Sequence, residues 1–266
     1  MARKKLPIGY DDFREIREKG FYYIDKTAMI AEFLGTEDKV ALIARPRRFG
    51  KTRNMPMLRE FLDITVDSRS IFQGLSIMET PWAAYLNTRP VIFLSFKNCK
   101  GSSAEETVFL LKEELLRAFL YFQNVVKKRL DPASYEYENY QDTLQLLKDR
   151  KSPSIYLGTC LLNLSRILEA CFQKKTVLLI DEYDQPIISS YEYGYHQEFS
   201  ALFSTLLGAA LKGNPSLDIA LLSGIQRVAK ESIFSQLNNP KVYTVMDRRY
   251  APYFGLTVEE TQQLLE

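Results

Sequence analysis

Four short and continuously apolar runs constrain the fold more than any other feature of the sequence. They cover residues 39–45 (KVALIAR), 90–96 (PVIFLSF), 176–182 (TVLLIDE) and 217–224 (LDIALLSG). Unbroken apolar runs, unlike alternating ones, are typical of parallel strands that helices cover on both faces. Helical spacing of apolar residues occurs between the runs, at 103–130, 154–172 and 196–211. Strands that alternate with helices predict an α/β fold with a mainly parallel sheet.

Two further segments bear on how the chain is organised. Segment 131–153 is polar, rich in tyrosine and bounded by prolines, which predicts a loop and a short helix inserted between the layers. The stretch YFGLTVEETQQLLE opens a helix at Thr257, with two acidic residues in its first turn. We therefore expect one domain over residues 1–250 and, over 251–266, the start of a further helical element that is truncated.

Composition and charge exclude several classes of function. The 266 residues carry a net charge of +2, which gives no reason in itself to expect a nucleic-acid binder. One histidine and three cysteines without metal-type spacing exclude a site rich in such ligands. No apolar run reaches the ~18 residues of a membrane span, and the N-terminus has no signal-peptide pattern. The odd number of cysteines favours a reducing environment, so we expect a cytoplasmic protein without a membrane partner.

A phosphate-binding loop follows the first apolar run. The stretch RPRRFGKT (45–52) ends in Gly50, Lys51 and Thr52, and a segment with helical spacing comes next. Strand, loop and helix in this order are the context that such a loop requires. Gly50 allows the backbone to approach phosphate closely, Lys51 reaches the β- and γ-phosphates, and the Thr52 hydroxyl is a ligand for Mg²⁺. The sequence therefore predicts an ATP site with Mg²⁺ as its cofactor.

Arg45 stands where the usual G-x-x-x-x-G-K-S/T pattern has its first glycine. That position is the hinge from strand to loop, and a residue other than glycine is allowed there if its φ is negative. Pro46 stiffens the loop because its ring fixes φ at about −65°. The sequence leaves open whether Arg47 and Arg48 lie over the phosphates or turn toward solvent. The candidate cofactor-binding residues of the loop are Arg47, Arg48, Phe49, Gly50, Lys51, Thr52 and Arg53.

Two acidic residues end the third apolar run. Asp181 and Glu182 are placed at the carboxyl end of a buried strand, which is the edge where open α/β sheets bind ligands. Asp181 is expected to hold Mg²⁺ through water, and Glu182 to polarise the attacking water as a general base. Acidic residues at a strand end are also common as caps and turn residues. Their occurrence together with GKT on an earlier strand favours the ATP site.

A third signal follows the fourth apolar run, in LLSGIQRVAK (221–230). Ser223 ends a strand that we expect beside the strand of the phosphate loop, where its hydroxyl can contact the γ-phosphate or the attacking water. Arg227 is placed to stabilise charge on the transferred phosphoryl group, as arginine fingers do. The alternative for Arg227 is an exposed arginine on a loop, and the sequence leaves the two open.

Together these residues resemble the bacterial predicted AAA-ATPase-like proteins, a branch of the P-loop ATPases related to archaeal and STAND-type ATPases. An arginine at the position of the first glycine looks normal for this family. The resemblance implies a P-loop NTPase three-layer sandwich of the additional-strand type, with strand order 5-1-4-3-2. The segments that carry it extend over nearly the whole chain and are GFYYIDKTAMIAEFL (20–34), RPRRFGKT (45–52), PVIFLSF (90–96), LLIDEYDQPI (178–187) and KESIFSQLNN (230–239).

The resemblance also implies further binding residues and partners. Segment 20–27 corresponds to the region that packs near the adenine base in such ATPases, which makes Tyr23, Asp25 and Lys26 candidates. Asp25 is equally suited to cap the helix that begins near Thr27. Family members often carry a C-terminal restriction-endonuclease-like nuclease domain, for which these 266 residues leave no room. A nuclease domain and nucleic acid enter as partners only through the resemblance, and the oligomeric state is left open.

The leading hypothesis is a Mg²⁺-dependent ATPase whose hydrolysis switches an effector domain or partner. Thr52 and Asp181 would hold the metal, and the expected catalytic residues are Lys51, Glu182, Ser223 and Arg227. The first alternative is a nucleotide-dependent interaction module with little turnover. Its partner surface would be the tyrosine-rich segments 131–153 and 191–195. A small-molecule kinase is a weaker alternative, because Glu182 directly after Asp181 suits water activation better than binding of an acceptor.

Overall fold

A parallel sheet of five strands forms the centre of the described structure. In this computed structural model, residues 5–46, 50–225 and 240–265 are described, except for the side chains of Lys51, Thr52 and Leu265. All neighbouring strands are parallel, and their spatial order is β2-β3-β4-β1-β5. Their bounds are β1 Val40–Ala44, β2 Val91–Ser95, β3 Thr176–Asp181, β4 Leu217–Gly224 and β5 Lys241–Tyr243.

This arrangement confirms the α/β fold and the strand order that the resemblance implies, with β4 between β1 and β3. Each of the four apolar runs forms a strand, and β1 and β3 are buried along their whole length. The fifth strand, β5, carries no signal in the sequence, because three residues at the edge of a sheet are too few for a periodic pattern. Within the described residues, β5 pairs with β1 alone.

Helices cover both faces of the sheet. Leu42 and Ile180 point into the cluster formed with the helices of residues 104–129, 135–148, 160–172 and 196–211. Their neighbours Ile43 and Leu179 point into the cluster formed with the helices of residues 28–34 and 51–62. The result is a three-layer sandwich. The helices of the described ranges are α1 Phe13–Glu18, α2 Ala28–Leu34, α3 Lys51–Leu62, α4 Arg69–Phe72, α5 Ala104–Arg129, α6 Tyr135–Lys148, α7 Cys160–Phe172, α8 Gln185–Glu192, α9 His196–Leu211 and α10 Val258–Leu265.

Segment 131–153 contributes more to the core than the sequence predicts. Its helix α6 is 14 residues long and packs on α5 and α7, with Tyr140 and Leu144 buried. The hydroxyl of Tyr140 donates to Phe119 O (2.7 Å), so the polar end of this buried ring has a partner. The expected loop and short helix are therefore corrected to a helix that belongs to one of the layers.

The other helical predictions agree with the structure in most of their length. α5 begins after Ser103, whose Oγ accepts from Glu106 N (3.2 Å) as an N-cap. Segment 154–172 starts as a 3₁₀ helix, Ser154–Thr159, before α7. In the described ranges, one helical stretch, Ser154–Phe172, is apolar and long enough to cross a membrane (mean hydropathy 1.3), and 56% of it is buried inside the protein as in a core helix.

Candidate functional site

The carboxyl ends of β1, β3 and β4 lie side by side at one edge of the sheet. Ile43 pairs with Ser223 and Ala44 with Gly224, so the end of β4 is in register with the start of the phosphate loop. The pairing extends one residue beyond β1, because Arg45 N donates to Gly224 O (3.0 Å). The register of the main chain thus fixes where the loop leaves the sheet relative to β4.

Asp181 and Ser223, which lie on separate apolar runs of the sequence, are in direct contact. The hydroxyl of Ser223 donates to Oδ1 of Asp181, and the same oxygen accepts from Glu182 N (3.1 Å). Both side chains are buried. A buried carboxylate requires donors of this kind to offset the loss of water. The contact fixes the acidic end of β3 against the end of β4.

Glu182 begins the turn after β3 in a left-handed backbone conformation. Its φ is +51°, which is uncommon for a residue other than glycine. Burial raises the pKa of the Glu182 carboxyl and the charge of Asp181 raises it further, while the charge of Lys97 opposes the shift. Residues with an unusual backbone conformation and a perturbed pKa cluster at functional sites. Glu182 lies at the carboxyl edge of the sheet, where open α/β sheets bind ligands, and its catalytic role stays a prediction.

Asp184 and Gly224 pack the turn after β3 tightly against the end of β4. Asp184 is fully buried, and its Oδ2 accepts from Ile225 N (2.8 Å). A Cβ on Gly224 would lie 2.6 Å from Tyr183 Cε1 and 2.9 Å from Asp184 Cγ, so a side chain there requires the turn to move. Sequence reasoning passed over both residues. The signal for Asp184 was its position in DEYD, two residues after the acidic pair.

Gly50 caps α3 and ends the phosphate loop. Its φ of +79° lies in the region that favours glycine, and its carbonyl accepts from Arg53 N (3.1 Å) and Asn54 N (3.2 Å). α3 therefore begins at Lys51, directly after the loop that follows β1. The N-terminus of a 12-residue helix presents free N–H groups and the positive end of the helix dipole to an anion.

Several predicted site residues fall outside the part of the chain that the structure describes. They are Arg47, Arg48, Phe49 and Arg227, together with the side chains of Lys51 and Thr52. The backbone of Lys51 and Thr52 is helical, as the first turn of α3. The roles expected for these side chains, and the two open orientations of Arg47 and Arg48, stay predictions.

Arg45, at the position of the first glycine of the usual pattern, points into the protein. It is buried, and its Cζ lies 5.8 Å from the centre of the Phe254 ring. Burial lowers the pKa of Arg45, and the charge of Asp247 opposes this shift. The hinge of the phosphate loop is thus in contact with the C-terminal part of the described chain.

A cavity of about 380 Å³ lies beside the first turn of α3. Its volume is in the range of roughly 300–1,000 Å³ that is usual for ligand pockets, and most of its walls are apolar. α3 contributes Gly50, Arg53 and Asn54. The remaining walls come from residues 6–8, from residues 22–24 with Lys26, and from Tyr253, Gly255, Leu256 and Leu264.

Four of the predicted binding residues, Tyr23, Lys26, Gly50 and Arg53, lie on this cavity. The Tyr23 ring packs edge-on against Phe13, with 5.4 Å between the ring centres, and its hydroxyl contacts Met57 Sδ (3.2 Å). Arg53 Nη2 donates to Pro7 O (3.2 Å), which attaches the N-terminal wall to α3. Tyr23 and Arg53 are therefore placed where they can contact a ligand that also reaches Gly50.

Asp25 does not line the cavity and instead fixes the chain before α2. Its Oδ1 accepts from Thr27 N (2.8 Å) and Thr27 Oγ1 (2.6 Å), and its Oδ2 accepts from Ser76 N (2.7 Å). Both carboxylate oxygens are thus engaged in the protein. The structure favours the alternative of a local role at the start of α2, whose N-cap residue is Thr27.

The side chains at the carboxyl edge can be compared with the ligands that the predicted Mg²⁺ needs. In the ranges that the structure describes, no group of three or more His, Cys, Asp or Glu side chains is arranged to hold a metal ion. Mg²⁺ needs fewer protein ligands, since phosphates and waters complete its shell. Burial raises the pKa of Glu182 and the charges of Asp181 and Asp184 raise it further, whereas the charges of Lys97 and Lys100 lower it, so this edge carries both acids and cations. Carboxylate oxygens are ligands that Mg²⁺ prefers, so the chemistry of Asp181 suits the metal, and its role stays a prediction.

A protein-family model described as Predicted AAA-ATPase matches residues 7–234. The chain belongs to this AAA-ATPase-like family. Membership confirms the resemblance and indicates a nucleotide-binding protein. The matched part of this AAA-ATPase-like chain includes β1, the phosphate loop, β3 and β4, whereas the cavity wall from Tyr253 to Leu264 lies beyond it.

A curated relative of this AAA-ATPase-like chain is described as an uncharacterized protein in the vnfD 5' region of Azotobacter chroococcum mcd 1. The two are 28% identical over 262 residues, which cover 97% of this chain and 44% of the relative. The chain thus spans less than half of that protein's length. No solved structure gives a significant match.

Proposed function

We propose that the chain binds ATP with Mg²⁺ at the carboxyl edge of its sheet and hydrolyses it. The observation that carries the proposal is the contact between Ser223 and Asp181. It brings a hydroxyl of the fourth apolar run and an acid of the third to one point. That point lies beside β1, the strand that leads into the phosphate loop.

The phosphate end of the site is assigned to α3 and its loop. The N–H groups at the start of α3 face the phosphates, and Lys51 supplies the positive charge that neutralises the β- and γ-phosphates. Because its proton is donated to Asp181, Ser223 is assigned to the attacking water, from which its hydroxyl oxygen accepts, and Arg227 to the charge that develops on the transferred phosphoryl group. Asp181 and Thr52 would hold Mg²⁺, which when bound would neutralise negative charge on the phosphates.

Glu182 is assigned as the general base. The oxygen of a water attacks the γ-phosphorus, the bond from that phosphorus to the β–γ bridging oxygen breaks, and the water proton passes to Glu182. The products are ADP and phosphate. The raised pKa of Glu182 makes its carboxylate a stronger proton acceptor than an exposed glutamate.

The proposal is tested by measuring ATP binding and single-turnover hydrolysis for two variants. Lys51→Ala is expected to lose both, because the triphosphate loses its main counter-charge. Glu182→Gln is expected to keep ATP binding and to lose about 10²- to 10⁴-fold in rate, the usual contribution of a general base. Glu138→Gln, the same change on the exposed face of α6, is the matched control and should leave both unchanged.

Hydrolysis by Glu182→Gln at the wild-type rate would remove Glu182 from the role of base. Tight binding of ATP by the wild type without turnover would instead assign the chain to nucleotide-dependent interaction modules. For that alternative, the exposed tyrosines of segment 191–195 are Tyr191 and Tyr193. Tyr195, also expected at the surface, is buried and donates to Gly101 O (2.8 Å), so it is not part of a partner surface.

Two further assignments belong to the same proposal. Hydrolysis would switch the conformation of an effector domain or partner, and the greater length of the curated relative offers room for such a region in a related protein. We place the chain in the cytoplasm on the basis of its cysteines, because Cys99, Cys160 and Cys171 are buried as free thiols.

A further inference from the structure

The cavity beside α3 has one wall that the family match does not include. The match ends at residue 234, and Tyr253, Leu256 and Leu264 lie beyond it. The opposite wall holds Gly50, the last residue of the phosphate loop. A ligand whose phosphates lie on that loop therefore has its remaining part directed at this cavity or at solvent.

Three side chains, those of Lys26, Asn54 and Arg45, attach the C-terminal wall to the elements around the phosphate loop. Lys26 Nζ lies 2.5 Å from Glu260 Oε1 and donates to Pro252 O (2.6 Å). Asn54 is the fourth residue of α3, and its Nδ2 donates to Tyr253 O (2.9 Å). The third side chain is that of Arg45, whose guanidinium lies 5.8 Å from the centre of the Phe254 ring. The C-terminal segment is thus held by three parts of the chain, namely the residues before α2, the hinge of the phosphate loop and α3.

Hydrogen bonds at the start of α10 fix the conformation of this wall. Thr257 Oγ1 accepts from Glu260 N (3.2 Å), and Glu260 Oε2 accepts from Thr257 N (2.7 Å), which is a reciprocal capping box. Glu260 is therefore fixed by the cap and by Lys26 together. Because Leu256 precedes this cap directly and Leu264 lies one turn after Glu260, both side chains are held at the cavity.

We propose that the segment 250–265 is a wall of the nucleotide site, on which Tyr253, Leu256 and Leu264 pack against the base of a nucleoside triphosphate. The inference rests on the proposed function, and it adds the binding surface for the base. A planar base with apolar faces suits a cavity whose walls are mainly apolar and aromatic. The polar side chains on this side, Lys26 and Asn54, already donate to the C-terminal segment and act as positioning residues for it.

The test compares the variants Leu256→Asp and Val258→Asp in the full chain. Leu256 lines the cavity and is 52% exposed, whereas Val258 is two residues away, 70% exposed and not on the cavity, so both changes are compatible with folding. Titration calorimetry is performed with ATP and with inorganic tripolyphosphate. Leu256→Asp is expected to weaken ATP binding by about ten-fold or more, because a carboxylate beside the base loses water without gaining a partner. Val258→Asp should not change it, and neither variant should change binding of tripolyphosphate.

Ile8→Asp provides a second variant, because Ile8 lies on the N-terminal wall of the same cavity and is 83% exposed. It should weaken ATP binding and leave tripolyphosphate binding unchanged. If Ile8→Asp weakens ATP binding but Leu256→Asp behaves like Val258→Asp, the base lies in the cavity without the C-terminal wall and the inference is wrong. If all variants bind ATP like the wild type, the inference is wrong and the proposed function stands. Wild-type protein that binds neither ATP nor tripolyphosphate would contradict the proposed function itself.

Discussion

The carboxyl edge of the sheet and the cavity beside it are built in different ways. At the edge, Asp181, Ser223 and Gly224 belong to two neighbouring strands, and main-chain register sets their positions. In the cavity, the walls come from chain segments that are far apart in sequence. Lys26 and Glu260, for example, are separated by 234 positions and meet only through the tertiary fold.

This difference predicts how each region responds to substitution. The edge is packed so closely that a change there affects the free energy of unfolding and the chemistry together. The cavity is joined by a few polar contacts, so changes there are expected to separate nucleotide affinity from turnover. The predictions below test this separation.

The largest effect is expected from Gly224→Val. A Cβ at this position would already lie 2.6 Å from Tyr183 Cε1, and the two further methyl groups of valine increase the overlap. We expect the free energy of unfolding to fall by up to about 3 kcal/mol, which is typical of overpacking in a core. ATP turnover should fall with it, because the turn that carries Glu182 must move. Denaturant titration and single-turnover rates measure the two effects.

Gly213→Ala is the control for Gly224→Val. Gly213 has a φ of +69° and no heavy atom within 4 Å of an added Cβ, so the substitution introduces backbone strain without overlap. It should cost about 1–2 kcal/mol in stability and leave the turnover of the folded protein unchanged. A loss of turnover in Gly213→Ala as large as that in Gly224→Val would mean that general destabilisation, and not the packing of the edge, reduces activity.

A smaller effect is expected from Lys26→Met. The change leaves Glu260 without its cation in a contact where the two side chains are 10% and 20% exposed. We expect the free energy of unfolding to fall by about 2 kcal/mol. This is less than for a fully buried pair, because both side chains are partly exposed. ATP affinity should fall while the rate of hydrolysis of bound ATP stays the same.

A double-mutant cycle with Glu260→Gln isolates this contact. Glu260→Gln should cost clearly less stability in the Lys26→Met background than in the wild type. Lys19→Met is the matched control, because Lys19 and Glu15 form an exposed pair at 2.6 Å, and its loss should lower the free energy of unfolding much less than the loss of the Lys26 contact. Additive costs for Lys26 and Glu260 would contradict a role of their contact in holding the C-terminal wall.

The sequence predicts the edge well for a physical reason. The apolar runs identify buried strands, and parallel strands bring their carboxyl ends to one edge, so Asp181, Glu182 and Ser223 could be placed together without a structure. The direct contact of Ser223 with Asp181 follows from strand order and register. Gly224 was missed because its role depends on the packing of Tyr183 and Asp184, which no local pattern reports.

The cavity was largely beyond the reach of sequence reasoning. Tyr23 was found only through the resemblance to the family, and Asp25 was named with it although its carboxylate binds Thr27 and Ser76. The helix after Thr257 was predicted from its capping residues, since these are local. Its position against the first turn of α3 depends on contacts between residues far apart in sequence, so the local pattern could not predict it.

A still smaller effect on stability, and none on affinity, is expected from Asp25→Ala. The change removes the acceptor of Ser76 N and Thr27 N, which should cost roughly 1.5 kcal/mol, at the lower end for charged hydrogen bonds because the carboxyl is half-buried. ATP affinity should stay within about two-fold of the wild type, since a hydrogen-bond change outside the cavity does not alter its walls. An affinity loss of ten-fold would restore Asp25 as a ligand-binding residue.

The pH dependence of Asp25→Ala has a definite sign. Burial raises the pKa of Asp25, but hydrogen bonds from Ser76 and Thr27 outweigh it and the net pKa lies below its ordinary value of 3.8. The carboxylate therefore contributes its stability above the unfolded-state pKa and loses it as the pH falls through the lowered folded-state pKa. The stability difference between wild type and Asp25→Ala should be constant at neutral pH and shrink in acid, as measured by denaturant titration.

The smallest effect is expected from Tyr23→Phe, which tests what the cavity offers a ligand. The change removes the contact of the hydroxyl with Met57 Sδ (3.2 Å), a weak acceptor, and keeps the ring against Phe13. We expect the free energy of unfolding to fall by less than about 0.5 kcal/mol and the ATP affinity to stay within two-fold of the wild type. Tyr23→Ala, which removes the ring, should weaken ATP binding by about ten-fold because an aromatic surface is lost from the wall. Equal losses in the two variants would mean that the hydroxyl, and not the ring, contacts the nucleotide, and the cavity would then recognise its ligand through polar groups, as we propose for the edge.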